Sequence, residues 1–201
     1  MGTITDLKPQ LKDKNRVNVY VDNKFVCGME LETVLKSHLK IGSVVENNEL
    51  VEIQFDSEKI TAFNKCAKLL STRLKTTSEM KKYLLSKGYE QPVVDYCIDK
   101  LKEYKFLNDV NYVEAFVKHN SDKKGPNLLK NQLLEKGVDK QTIEEFFDNF
   151  DTQKDEILNL YNKFMKNKEN TFENRQKCLK RLIGRGFSYD EIKSAISFEE
   201  D

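Results

Sequence analysis

Glycine and proline are scarce in these 201 residues, at 8 and 3. Sandwiches and barrels need such residues in their many tight turns, so the prior moves toward helix. Histidine is nearly absent. His38 and His119 stand alone, outside any HExxH and with no acid at a ligand spacing, which leaves no zinc-protease signature and no positioned base. The four cysteines, Cys27, Cys66, Cys97 and Cys178, lie 39, 31 and 81 positions apart and form no CxxC pair; they read as buried free thiols, not as zinc ligands or a redox couple. Neither GxxxxGK[ST] nor GxSxG occurs, so the chain is expected not to be an enzyme and to need no cofactor or metal. No stretch approaches the roughly 18 apolar residues of a membrane span. The opening MGTITDLKPQ lacks the apolar core of a signal peptide. A cytoplasmic protein with no membrane partner is the expectation.

Charged residues make up 33% of the chain and hydrophobic ones 38%, with a net charge of +1. The charge is uneven: residues 57–108 carry 11 basic against 6 acidic side chains. A protein that relied on phosphate contacts alone would be far more basic.

A repeat organises most of the chain. Gly88, Gly137 and Gly186 are spaced by 49 residues, and the positions around them agree without insertion: Leu84, Leu133 and Leu182; Leu85, Leu134 and Ile183; Lys87, Lys136 and Arg185; Val94, Ile143 and Ile192. A fixed period of this length means copies of one supersecondary unit. Each copy reads as three helices. In the first, Ile60, Phe63, Ala67, Leu70 and Leu74 make an apolar stripe. Thr76 and Glu79 then form a capping box, Gly88 is a left-handed stop, and a third helix runs from about Gln91 to Glu103 with Pro92 in its first turn. Gly125 and Pro126 open the second middle helix, Asp139 caps the helix after it, and Ser188 with Glu191 repeats the capping box. Asp109 reads as the cap of its own helix. Tyr112 and Phe116 read as core.

Ahead of the repeats, Val17, Val19 and Val21 alternate with polar residues, and Asp22 and Asn23 suit the positive φ of a tight hairpin turn. ELETVLKSHLKIG reads as a helix burying Leu31, Val34, Leu35 and Leu39 and stopping at Gly42. ELVEIQF fits a strand or a helix. The expectation is a mainly α protein. Its three tandem three-helix repeats (57–108, 109–150, 151–201) form an elongated, curved array behind a small α+β segment with a β-hairpin (1–56).

LSTRLKTTSEMKKYLLSKGY, FLNDVNYVEAFV and KKGPNLLKNQLLEKGV together resemble the motifs of the RecX family. They depart from its pattern at Asn111 and Asn120, where the family commonly has arginine. The resemblance implies a non-catalytic regulator of homologous recombination, DNA repair and the SOS response. It would be a curved wedge that lies in the groove of the RecA filament on single-stranded DNA and restrains filament extension, ATP hydrolysis and strand exchange. A monomer with at most weak direct DNA binding is expected. The alternatives are a stand-alone nucleic-acid-binding helical module and a scaffold for an unrelated protein.

The candidate contacts with RecA or DNA are basic residues assigned to the middle helices. The first repeat offers Arg73, Lys75, Lys81 and Lys82, and the second Lys123, Lys124 and Lys130. The third offers Arg175, Lys177, Lys180, Arg181 and Arg185, where Lys177, Arg181 and Arg185 follow each other at four-residue spacing on a face nearly free of acids.

Overall fold

A computed structural model describes residues 1–11, 13–150 and 154–196. The chain divides into two compact units. The first comprises residues 1–74 and 80–107; the second comprises 75–79 and the chain from Asn108 onward.

The first unit opens with a sheet. Strands β1 (Gly2–Pro9), β2 (Arg16–Val21), β3 (Lys24–Glu30) and β4 (Val44–Val45) pair antiparallel in the order β3-β2-β1-β4. Val17, Val19 and Val21 face the core as their alternation predicts. Asp22 and Asn23 take φ values of 49° and 61°, the pair of positive angles a type I′ hairpin requires. Strand β1 escaped the sequence reading because only Ile4 is fully buried and the pairing register shifts between Ile4 and Asp6; a bulge erases the period-two signal.

Helix α1 (Leu31–Lys36) is shorter than expected. It ends two residues before His38, which adopts φ 53°, and Leu39 N–H closes the turn on the Val34 carbonyl at 3.1 Å. This stop precedes Gly42, so Val34 and Leu39 are buried while Leu31 and Leu35 stay exposed.

Helix α2 (Asn47–Leu70) runs unbroken through the ELVEIQF segment and across position 56. Its buried face is displaced from the predicted stripe: Ala62 and Cys66 are fully covered, and Leu74 lies exposed beyond the helix end. Small side chains let α2 pack closely on α4 (Gln91–Glu103), whose Val93, Val94, Cys97, Ile98 and Leu101 share its core. Ser57 and Thr61 are also buried, because they bond to the sheet. Ser57 Oγ accepts from Glu30 N–H at 2.6 Å, and Thr61 Oγ1 donates to Glu30 Oε1 at 2.6 Å. Counting large apolar residues misses a face built from small and hydrogen-bonded ones.

The remaining helices are α3 (Thr77–Ser86) between α2 and α4, then α5 (Asp109–Asn120), α6 (Pro126–Glu135), α7 (Lys140–Phe147), α8 (Lys154–Met165), α9 (Phe172–Gly184) and α10 (Tyr189–Ala195). Three hydrophobic clusters follow the repeat, and a fourth belongs to the sheet. The 49-residue register holds in burial: Met80, Leu129 and Cys178 are covered, as are Leu84, Leu133 and Leu182, Val94, Ile143 and Ile192, and Ile98, Phe147 and Ile196. All four thiols are buried. Desolvation pushes Cys66 up to about 12 and Cys97 up to about 11, so these sulfurs stay protonated and behave as core atoms.

Candidate functional site

The end of each middle helix builds the same turn, and in the second unit two of these turns are filled in matching ways. Thr76 and Glu79 form the expected capping box at the start of α3, with Glu79 N–H donating to Thr76 Oγ1 at 3.1 Å and Thr76 N–H to Glu79 at 3.4 Å. The Thr76 hydroxyl then donates onward to the Lys136 carbonyl at 2.7 Å, and Lys136 Nζ pairs with Glu79 at 3.3 Å. Gly137 sits so close that a Cβ there would collide with Ser78. At the next turn Gly125 N–H donates to the Arg185 carbonyl at 2.8 Å and Asn127 N–H to the Gly186 carbonyl at 3.1 Å. A Cβ on Gly186 would strike Leu128. Thr76 and Gly125, like Lys136 and Arg185, are equivalent positions of the repeat. A helix N-terminus offering N–H or O–H donors therefore meets the carbonyl end of another helix, the pairing that orphan groups and helix dipoles favour.

Asp109 belongs to this arrangement and does not cap its own helix. Asn108, with extended backbone, takes that role by accepting from Val110 and Asn111 N–H at 2.9 and 3.2 Å. The Asp109 carboxylate, already inside the helix, accepts from Thr77 N–H at 2.7 Å.

Burial works against ionising Glu79, yet the hydrogen bond and charge of Lys136, the Thr76 N–H and the charge of Lys75 outweigh it and hold the carboxyl below its ordinary value. Lys136 is held above its ordinary range first by the Tyr112 hydroxyl, against desolvation, and then by Glu79. A depressed carboxyl contributes stability that is present above its unfolded pKa and drains away as the pH falls through its folded one. Circular dichroism followed downward from pH 7 should therefore show stability lost below about pH 4.5, and Glu79→Gln should flatten that limb. An acid limb identical in the variant would show that the pair does not stabilise the fold.

The basic candidates do not form one patch. Arg73, Lys75, Lys123 and Lys124 precede the middle helices instead of lying on them. Lys75 is bound to Glu79 at 3.3 Å, Lys81 lies 3.9 Å from Asp95, and Lys123 pairs with Asp122 at 3.0 Å. Lys124 is spent on Asn120 and Gln132 at 3.0 and 2.8 Å, and Lys130 lies over the Phe147 ring. On α9, Glu173 neutralises Lys177 at 2.6 Å, so the acid-poor face is narrower than its spacing predicts. Arg181 and Arg185 both lie over Phe164, at 5.6 and 5.3 Å from the ring centre, and Arg185 also donates to the Lys123 carbonyl at 2.9 Å. Arg175 is half-buried. Lys82, Lys180 and Arg181 are exposed, with no ion-pair partner among the described residues.

Three family models match the chain in order up to residue 145: the regulatory protein RecX N-terminal domain at residues 2–46, the RecX first three-helix domain at 62–101 and the RecX second three-helix domain at 108–145. Regulatory protein RecX of Bacillus subtilis is 32% identical across 100% of this chain and 80% of its own length. The chain belongs to the RecX family. Regulatory protein RecX of Clostridium botulinum strain Eklund 17B is 32% identical, covering 99% of both chains. A solved regulatory protein RecX superposes with a TM-score of 0.71 over 96% of this chain and 100% of that one, at 22% identity, a likeness of fold. RecX from Lactobacillus salivarius gives 0.65 over 69% and 94%, at 26% identity. The Lys-Gly turns at 87–88 and 136–137 fall inside the two RecX three-helix matches.

Proposed function

We propose that the chain binds the RecA filament on single-stranded DNA and restrains its extension, ATP hydrolysis and strand exchange, acting in the cytoplasm as a monomer without catalysis of its own. The observation that carries this reading is a RecX match along the whole chain, joined to helical modules that each hold a separate core. Exposed cations are spread over several of those modules. Many modest contacts along a repeating partner gain affinity through effective concentration without a deep pocket. Among the described residues no helix is long and apolar enough to cross a membrane and no cluster could hold a metal.

The test is RecA's DNA-dependent ATPase with and without the chain. Lys180→Glu with Arg181→Glu reverses two exposed charges and spares Arg185, whose bond to Lys123 is structural. The double variant should need about tenfold more protein for the same inhibition, at unchanged helicity. Equal potency would remove this face of α9 from the contact.

Direct nucleic-acid binding is a second reading, favoured by one feature of the first module. Tyr96, Tyr104 and Phe106 are each 40–56% exposed, with Lys59 over Tyr96 and Lys100 over Tyr104; rings and cations so interleaved can stack bases. Tight binding to bare oligonucleotide with a steep salt slope, indifferent to RecA, would favour it.

A further inference from the structure

Of the three equivalent turns, one has no described residue docked on it. In the first unit Lys87 and Gly88 repeat the backbone of the two filled turns. Gly88 has φ 84°, beside 76° at Gly137 and 93° at Gly186. Gly88 N–H reaches the Leu85 carbonyl at 3.0 Å, as Gly137 reaches Leu134 and Gly186 reaches Ile183, both at 2.8 Å. Tyr89 N–H closes on Leu84 at 3.3 Å, as Phe187 closes on Leu182 at 3.3 Å. Yet a Cβ on Gly88 would meet nothing within 4 Å, whereas those on Gly137 and Gly186 would collide with a docked helix start. Lys87 and Gly88 are both exposed. The receiving geometry is complete with no described residue in it.

We infer that the Lys87–Gly88 turn is a docking site for the acidic N-terminus of a helix on the RecA filament protomer, an inference that rests on the filament being the partner. The chemistry of the occupant follows from the two filled copies. Each receives a helix start whose first residue is small or hydroxylated, Thr76 or Gly125, and gives a hydrogen bond to the carbonyl of the basic residue, Lys136 or Arg185. In one of them a carboxylate one turn along, Glu79, pairs with that residue's ammonium. Lys87 stands at the same position, and the half-exposed Leu85 belongs to the same turn. The site thus selects a capped helix start carrying an acid in its first turn, met by a helix C-terminus of opposite dipole. A second copy of this chain is a poor occupant. The third repeat's counterpart of Thr76 and Gly125 is Asn174, which lies within α9, a helix that begins at Phe172 behind its cap Thr171. That extra turn leaves no equivalent start to offer.

Two variants test the site while preserving its backbone. Asparagine tolerates positive φ, so Gly88→Asn keeps the turn and places a side chain where the filled turns exclude one; Lys87→Glu reverses the charge. Sedimentation of each with RecA filaments on single-stranded DNA should show about tenfold weaker binding than the parent, at unchanged helicity. Lys118→Glu, on exposed α5 surface, should bind like the parent. Parent-like binding by both turn variants overturns the inference and leaves the filament reading standing. A parent that self-associates with concentration through this turn, and variants that lose only that, overturn the assigned partner in favour of a second copy. A parent that fails to bind filaments at all sinks the functional reading first and this site with it.

Discussion

Alanine at Gly186 should destabilise the protein by about 3 kcal/mol, while alanine at Gly88 should cost only about 1–2 kcal/mol. Both residues hold left-handed backbone, at φ 93° and 84°, and any side chain pays the steric cost of that region, roughly 1–2 kcal/mol. Gly186 alone carries a second cost. Its Cα faces Leu128, and a methyl group would overlap both the side chain and the backbone nitrogen of that residue. Relieving the overlap means moving the start of α6, whose Asn127 N–H bonds the Gly186 carbonyl at 3.1 Å, and overpacking of this kind costs roughly 1–3 kcal/mol more. Urea unfolding of the two single variants measures the difference. Equal losses would show that only φ matters and that the docked helix start yields freely.

Alanine at Leu133 should cost about 2–5 kcal/mol, the range for emptying a fully covered leucine site. Leu133 has no exposed surface and sits among Leu129, Val138, Ile143 and Phe147. Short helices cannot close that space, because α6 and α7 have 10 and 8 residues and are tied at their starts by the Gly125 N–H bond to the Arg185 carbonyl and by the Asp139 cap. The damage should also be local. Each repeat owns a separate cluster, so hydrogen exchange should accelerate first across α5, α6 and α7 and later around Leu84 and Leu182, the fully buried equivalents. A loss under 1 kcal/mol, or exchange rising evenly everywhere, would mean that the clusters do not act as separate cores.

The elements most legible in the sequence were those set by chain neighbours. Asp22-Asn23 specifies its turn because both residues tolerate positive φ, and Asp139, Ser188 and Glu191 specify helix starts because their side chains reach N–H groups only two or three residues away. Asp109 was misread for the complementary reason. Its type suits a cap, but which helix it caps depends on where α3 begins in space, 32 residues back along the chain. The same limit hid the fate of the basic residues: Lys124 and Lys136 look like surface charge until Gln132 and Glu79 are brought beside them. On α2, Ala62 and Cys66 defeated a count of large apolar residues because close packing prefers small ones.

By itself, then, the order of amino acids determined the 49-residue period, the caps at Asp139 and Ser188, the glycine stops of the three repeats and the hairpin, all products of forces acting within a few residues. Tertiary structure alone decided that Gly137 and Gly186 receive a helix start while Gly88, with the same backbone, receives none of the described residues. Local geometry builds a turn from its own carbonyls and φ angles, whereas what fills it is a matter of which distant segment the fold brings within reach.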